Sequence, residues 1–444
     1  MGYIPHTAAD QRRMLDVLGL QDAGQLFDTL PAEVRLQGPL NLPKGLTEME
    51  TLAALEEIAA RNTRFARIFR GAGSYNRFIP AVVGRLVGRS EFYTAYTPYQ
   101  PEISQGVLQA IFEYQTMISE LTGMDASNAS VYDGATAAYE AIAMCTDNRR
   151  RKAVLSAGLH PQTIQVVRTW CDACGVELVL CPLKEGKTDA EALAALCDAT
   201  TACVIAAQPN YLGLLEDLSA VERITHGAGA KFVLSVEPVS LGVLRTPVQW
   251  GADIAIGDGQ GLGNPMNFGG PGLGFMTCRE AMQRKLPGRI VGETVDHDGN
   301  RGFVLTLQAR EQHIRREKAS SNICSNQALN ALAAAVYMAA MGPDGLKEAA
   351  NLSYQQAHEA AAAITALPGF RLKHAGPFFQ EFVIESDIAP ARIEAALTAK
   401  GILPGLPLGE LGAQYANCML WCATERTTAA DIAALAAALK EVAA

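Results

Sequence analysis

A chain of 444 residues with 49% hydrophobic and 19% charged residues is too long for one small module and too apolar for a disordered tether. Its net charge is −9, from 37 Lys and Arg against 46 Asp and Glu, and no basic stripe alternates with aromatic residues. Such a chain lacks the clustered cations that a nucleic-acid backbone requires. The densest basic run, 149–152, leads into an apolar strand and is more typical of a solvated loop.

The amino-terminal residues and the cysteines predict the compartment. No cationic segment precedes an apolar stretch at the start of the chain, and no stretch reaches the ~20 apolar residues of a membrane span. The ten cysteines are scattered, often in apolar runs where a thiol behaves as a small hydrophobe. We therefore expect a protein of the reducing cytoplasm that does not bind a membrane.

Residues 1–95 predict a helical and extended amino-terminal region. Thr47 and Glu50 have the spacing of a capping box at the start of a helix. Further on, apolar positions at helical spacing over 105–121 predict an amphipathic helix that Gly123 terminates.

After residue 150, short apolar runs alternate with segments of helical period. We expect strands at 153–156, 176–180, 203–207, 232–236, 253–256 and 274–277. Strands that are apolar on both faces and alternate with helices predict an α/β fold with a doubly wound, mostly parallel sheet. Ligands of such sheets bind beyond the carboxyl ends of the strands.

An alanine-rich helix over 327–341 and a break at Gly342-Pro343 predict the start of a smaller unit. This unit contains helices at 346–367, 391–400 and 429–442 and strands at 381–385 and 419–423. We place the domains at 1–95, 96–320 and 321–444, with a large α/β domain in the middle and a smaller α/β domain at the carboxyl terminus.

Two motifs suggest chemistry that their positions do not support. Residues 170–174 have the WCxxC outline of a redox centre, but the cysteines close a helix, whereas a reactive thiolate is stabilised at a helix N-terminus. The glycine-rich run 257–263 fails the GxGxxG register of a dinucleotide site and leads into Asn264-Pro265 instead of a helix. No second cysteine or histidine pair at metal-ligand spacing follows Cys171 and Cys174, so we expect no metal site.

The turn Asp133-Gly134-Ala135-Thr136 before a helix can be an ordinary N-cap or a phosphate site made of backbone N–H groups. His160, Glu237 and Gln260 each follow a predicted strand. An aromatic ring, an acid at the ring nitrogen and an amine are what pyridoxal phosphate requires at such positions. The amine is missing, because no lysine occurs between Lys231 and Lys285.

Four segments resemble the glycine-cleavage P-protein family. They are AYTPYQPEISQG at 95–106, NASVYDGATAA at 128–138, LPGRIVG at 286–292 and QAREQHIRREKASSNIC at 308–324. The resemblance implies the fold-type I fold of pyridoxal-phosphate-dependent transferases. It also implies the family reaction (EC 1.4.4.2), in which glycine is decarboxylated and its aminomethyl group passes to the lipoyl group of the H-protein.

The length corresponds to one half of the two-subunit form of this family. The resemblance then implies a partner β-subunit that carries pyridoxal phosphate, in an assembly expected to be (αβ)2. When Gly269-Gly270-Pro271-Gly272 is aligned with the glycine-rich run of catalytic halves, Gln260 stands where the cofactor lysine would be. An amide cannot form a Schiff base. We therefore expect no covalently bound cofactor, no catalytic residue in this chain alone, and a structural or co-catalytic role.

The site residues expected on this interpretation form two groups. A vestigial cofactor pocket comprises Asp133, Gly134, Ala135, Thr136, His160, Glu237 and Gln260. Because fold-type I dimers build each site from both chains, a second group is expected to reach the active site of the partner: Tyr96, Thr97, Gln100 and Arg310. Two alternatives stay open, a stand-alone enzyme that uses a displaced lysine such as Lys231 or Lys285, and a scaffold protein without a catalytic role.

Overall fold

The computed structural model describes residues 5–36, 38–93, 95–307, 312–319 and 321–443, and the side chains of all of these except Phe268 and His313. The chain divides into two compact units, Met1–Arg64 and Phe65–Ala444. The finer boundaries expected at residues 95 and 320 stay predictions.

The described part of the first unit contains the α-helices α1 (Ala8–Leu18) and α2 (Glu48–Ala60). The predicted capping box of α2 is confirmed, since the Thr47 side chain accepts from the Glu50 N–H and the Glu50 carboxylate accepts from the Thr47 N–H. No described residue of this unit is buried. Its exposed apolar side chains are Met14, Val17, Leu18, Leu26, Phe27, Leu30, Val34, Leu36, Leu40, Leu42, Leu46, Met49, Leu52, Leu55 and Ile58. A unit without buried apolar side chains has no hydrophobic core of its own.

The larger part of the second unit alternates strands and helices. In chain order these are β1 (Arg67–Ile68), α3 (Ala81–Val87), α4 (Pro101–Thr122), β2 (Ala126–Ser127), α5 (Gly134–Cys145), β3 (Lys152–Ser156), α6 (Pro161–Cys174), β4 (Glu177–Cys181), β5 (Leu183–Lys184), β6 (Lys187–Thr188), α7 (Ala190–Leu196), β7 (Thr201–Gln208), α8 (Leu218–Gly227), β8 (Lys231–Val236), β9 (Ile254–Asp258), β10 (Gly274–Cys278), β11 (Ile290–Val295), β12 (Arg301–Thr306) and α9 (Gln312–Arg315).

A seven-stranded sheet in the order β2-β10-β9-β8-β7-β3-β4 forms the centre of this unit. Strands β9, β8, β7, β3 and β4 are parallel to one another, and β10 is antiparallel to both β9 and β2. All residues of β3 and β7 are buried, as expected for strands that helices cover on both faces. The predicted doubly wound, mostly parallel sheet is confirmed.

Helix ends follow the glycines that the sequence places there. Helix α4 ends at Gly123 and α6 ends at Gly175, both in the left-handed conformation that glycine adopts without strain. Cys171 and Cys174 therefore lie in the last turn of α6, away from the positive end of the helix. Burial raises the pKa of Cys171 to about 11, which disfavours a reactive thiolate.

The carboxy-terminal part is a four-stranded antiparallel sheet covered by helices. Its elements are α10 (Ala328–Thr365), β13 (Phe370–Leu372), β14 (Glu381–Ser386), α11 (Pro390–Thr398), β15 (Ile402–Leu403), β16 (Leu406–Pro407), β17 (Cys418–Cys422) and α12 (Ala429–Ala443). The sheet order is β13-β14-β17-β16, and β1 pairs with β15 beside it. Helix α10 breaks at Gly342, as predicted, where φ is +62° immediately before Pro343. No helix in the described ranges has the length and hydropathy needed to cross a membrane.

Candidate functional site

A cavity of about 500 Å³ opens at the carboxyl ends of the parallel strands. Of the residues expected in a cofactor pocket, Asp133, Gly134, Ala135, His160, Glu237 and Gln260 line it, together with Gly269, Gly270, Pro271 and Gly272. Thr136 lies one position further into α5, where it is buried and its backbone N–H donates to Asp133 Oδ1. The topology thus brings together residues that are separated by more than 120 positions in the chain.

Gln260 holds the loop of residues 71–75 against the cavity. Its Oε1 accepts from the Tyr75 N–H at 2.8 Å, and its Nε2 donates to the carbonyl oxygens of Tyr75 at 3.2 Å and Asn264 at 2.7 Å. The side chain is 7% exposed. Every polar atom of the amide is therefore used to fix the backbone on both sides of it.

His160 and Glu381 hold the same loop from two other directions. His160 Nδ1 accepts from the Gln162 N–H, so its Nε2–H donates to the Ala72 carbonyl at 3.0 Å, and burial lowers the pKa of the ring. Glu381 accepts from the Ala72 N–H at 2.6 Å and from the Tyr75 hydroxyl at 2.8 Å. Burial raises the pKa of Glu381 to about 7.

The amino-terminal end of α5 is occupied by carboxylates. Asp133 caps the helix through the Thr136 N–H at 2.7 Å, and Asp258 Oδ2 accepts from the Gly134 N–H at 3.1 Å. Asp258 Oδ1 also accepts from two further backbone N–H groups, at 2.9 and 3.2 Å. Burial raises the pKa of Asp258, and the nearby charge of Asp133 raises it further. The backbone donors that could hold a phosphate thus already face two acidic side chains.

Glu237, the acid expected at the ring nitrogen of a cofactor, is paired inside the chain. Its Oε1 lies 3.1 Å from Arg77 Nη2, and its Oε2 accepts from the Ser240 N–H at 2.7 Å. Arg77 is 3% exposed and also pairs with Glu425 at 2.8 Å. Burial opposes the charge of Arg77, but Glu237 and Glu425 outweigh it and raise the pKa of the guanidinium above its usual value.

The lysines of the displaced-lysine alternative lie elsewhere. Lys231 begins β8, at the opposite end of the strand from Glu237, and pairs with Asp253 at 2.8 Å. Lys285 Nζ donates to the Met144 carbonyl at 3.0 Å. Among the described residues that line the cavity there is no lysine and no arginine. These positions argue against a Schiff base at either lysine.

Three of the residues expected to reach a partner do not line this cavity. Tyr96, Thr97 and Gln100 precede or cap the start of α4, where Tyr96 is 86% exposed. Arg310 lies outside the described residues.

Sequence reasoning did not find Tyr75, Arg77, Asp258 and Glu381 as parts of the site. Asp258 lies in the glycine-rich run considered for dinucleotide binding. It is the last residue of the buried strand β9, and this position at a strand end was the signal that could have identified it. Tyr75 and Arg77 lie in or beside the loop of residues 71–75, and Glu381 begins a strand about 120 residues beyond Gln260. No local pattern joins these positions.

Comparison with known proteins shows the family of the chain. The family model described as "Glycine cleavage system P-protein" matches residues 1–439. The chain belongs to the glycine cleavage system P-protein family. It is 51% identical over 443 residues to a Moorella thermoacetica protein named "Probable glycine dehydrogenase (decarboxylating) subunit 1", covering 100% of both chains. A protein of the same name from Desulfitobacterium hafniense is 47% identical over 445 residues, again with full coverage of both.

Solved structures show the fold of this P-protein family member. An inhibitor-bound glycine decarboxylase (P-protein) of the glycine cleavage system superposes with a TM-score of 0.92 at 46% identity, covering 100% of both chains. A Burkholderia pseudomallei sphingosine-1-phosphate lyase superposes with a TM-score of 0.67 at 15% identity, covering 93% of this chain and 94% of that one. The predicted fold-type I transferase fold is confirmed.

The fold is that of pyridoxal-phosphate-dependent enzymes, but the residues of this chain do not fit that cofactor. The amide of Gln260 offers no amine and is fully hydrogen-bonded to backbone. A phosphate at the start of α5 would meet the carboxylates of Asp133 and Asp258 with no cation in the lining to balance them. Glu237 already has its counter-ion in Arg77. We therefore derive no chemical step through a cofactor held by this chain.

The pKa of Glu381 predicts a pH dependence of stability. Its folded value, about 7, lies above the ordinary 4.5, so the folded state holds the proton more tightly than the unfolded state does. The stability contributed by the protonated acid is complete below about pH 4.5 and is lost as the pH rises through 7. Relative to Glu381→Gln, the free energy of unfolding of the wild type should fall by up to about 3 kcal/mol over that interval.

Urea unfolding at a series of pH values measures this difference. Glu385→Gln, in the same strand, is the control of opposite sign, because hydrogen bonding by Lys373 lowers the pKa of Glu385. Relative to that variant, the wild type should gain stability as the pH rises. Parallel pH profiles of wild type and Glu381→Gln would contradict the assignment.

Restoring the amine alone should not create a cofactor site. We expect Gln260→Lys, loaded with excess pyridoxal phosphate and desalted, to retain about one-tenth of a cofactor per chain or less and no visible absorbance band. The carboxylates at the start of α5 remain in this variant and oppose the phosphate. Adding Asp133→Asn and Asp258→Asn keeps acceptor oxygens for the backbone N–H groups and should raise retention. Stoichiometric loading of Gln260→Lys alone would show that the carboxylates do not matter.

Proposed function

We propose that this chain is the subunit of a two-subunit glycine dehydrogenase (decarboxylating) that carries no cofactor. A second subunit holds pyridoxal phosphate, and together they decarboxylate glycine and pass the aminomethyl group to the lipoyl group of an H-protein. The observation that carries the proposal is Gln260, a buried amide bonded to backbone at the position expected for the lysine. The relatives that this chain covers to 100% are named subunit 1, which supports the proposal that it is one of two subunits.

Exposed apolar surface supports a stable partner. The described part of the unit Met1–Arg64 exposes large apolar side chains on both of its helices and buries none. Monomeric proteins rarely expose apolar surface of this extent unless it contacts a partner. We propose that the second subunit covers this surface, in an (αβ)2 assembly.

The ten cysteines are all free thiols, which supports a place for the assembly in the reducing cytoplasm.

Reconstitution with the second subunit tests the proposed reaction. The two chains are co-expressed, and glycine-dependent release of CO2 is measured with and without lipoylated H-protein. We expect activity only when both subunits and the H-protein are present, and one pyridoxal phosphate per αβ pair. Two cofactors per pair would contradict the division of roles. A scaffold without a catalytic role would predict that the second subunit alone reaches full turnover.

One helix face provides a direct test of assembly. Met49, Leu52, Leu55 and Ile58 are spaced three apart along α2 and cover about half of its circumference. We expect the double variant Leu52→Asp/Leu55→Asp to weaken binding of the second subunit by at least about tenfold, which corresponds to about 1.4 kcal/mol. The reason is that burying an unpaired carboxylate is costly.

Ala53→Asp/Ala54→Asp is the matched control, because both alanines are exposed on the part of the same helix that these four side chains leave uncovered, and the variant adds the same two carboxylates. Affinity is measured by a titration of labelled chain with the second subunit. Equal affinities for the double variant and the control would place the partner elsewhere.

A further inference from the structure

A buried arginine lies outside the cavity without an adequate partner. Arg289 belongs to the LPGRIVG segment just before β11 and is 6% exposed. Its Nε is buried and makes no hydrogen bond, and no described carboxylate forms an ion pair with it. A guanidinium stays charged at any physiological pH, so the described residues bury this charge without a compensating carboxylate.

Among the described residues, the polar and cation–π contacts of its side chain are with Tyr99. Arg289 Nη2 lies 3.4 Å from the Tyr99 hydroxyl, which is at the limit of a hydrogen bond, and the guanidinium carbon lies 5.6 Å from the centre of the ring. The backbone on either side is well fixed, because the Arg289 carbonyl accepts from the Ala129 N–H at 2.8 Å. The side chain is therefore held in place while the Nε/Nη2 edge of its guanidinium lacks a strong acceptor.

The chemistry of that edge selects the ligand. Two parallel N–H groups on one edge of a guanidinium match the two oxygens of a carboxylate, which binds them in a bidentate manner. The site lies beside the surface, since Tyr99 is 47% exposed and Ile103, on the first turn of α4, is 81% exposed. Arg289 therefore contacts a residue that is itself accessible from outside the chain.

We propose that Arg289 and Tyr99 form a carboxylate-binding site whose ligand comes from outside this chain. In the assembly proposed above, on which this inference rests, the carboxylate is that of glycine or that of an acidic side chain of the second subunit. Either carboxylate would supply a negative charge that balances the guanidinium of Arg289.

Substitutions in the reconstituted complex distinguish the two sources. If the ligand is glycine, Arg289→Gln should raise KM for glycine by at least about tenfold with little change in kcat or in subunit affinity. If the ligand is a partner side chain, the same variant should weaken subunit binding by at least about tenfold and leave KM unchanged. In both cases Arg289→Lys should recover part of the loss, because it keeps the charge and loses the bidentate edge. Tyr99→Phe should show a smaller effect in the same direction.

Arg301 offers a matched control. It also lies over an aromatic ring, 4.9 Å from the centre of Phe303, but it is exposed and pairs with Glu293 at 2.7 Å within its own chain. We expect Arg301→Gln to change neither KM nor subunit affinity. The carboxylate site is overturned if folded Arg289→Gln matches Arg301→Gln in both readouts, even if its thermal stability is altered. If the wild-type complex does not act on glycine, the proposed function fails, and subunit affinity alone then decides the role of Arg289.

Discussion

The buried guanidinium of Arg77 is the group on which the arrangement of the cavity depends. It pairs with Glu237 at the end of β8 and with Glu425 beyond β17, and it also bonds Ser353 in α10 and Gln380 before β14. One charged side chain thus joins the large sheet, the long helix and the carboxy-terminal sheet. Removing it would leave two buried carboxylates without a counter-ion, which is far more costly than losing an exposed ion pair.

The polar groups around the cavity already have partners within the chain, and this limits what the cavity can bind. Arg77 neutralises Glu237, and Asp258 accepts from the Gly134 N–H at the start of α5. The amide of Gln260 is hydrogen-bonded to the backbone of Tyr75 and Asn264. A ligand gains little from groups that already have good partners, because it must first break those contacts. The cavity therefore offers a ligand few free groups, while the groups that line it stabilise the fold.

The local elements and the sheet could be predicted from the sequence, and the network around the cavity could not. Apolar runs such as 203–207 and glycines such as Gly123 act through neighbours in the chain, so their periodicity and position are visible without a structure. The positions of His160, Glu237 and Gln260 at strand ends follow from the α/β pattern in the same way. What these side chains bond to depends on contacts between distant segments, as between Gln260 and Tyr75, which are 185 residues apart. The periodicity of a sequence cannot predict such a contact.

Two unsatisfied features of the chain lead to the same physical requirement. The described residues of Met1–Arg64 have no core, so this unit gains hydrophobic stabilisation only if another surface covers its apolar side chains. Arg289 is a buried charge for which the described residues provide no counter-ion, so the proposed carboxylate from outside the chain would stabilise it. Covering the apolar side chains of Met1–Arg64 requires a large contact area. Balancing the charge of Arg289 requires one carboxylate in the right orientation. A neighbouring subunit that supplies both would make folding of the first unit, charge compensation at Arg289 and assembly thermodynamically linked.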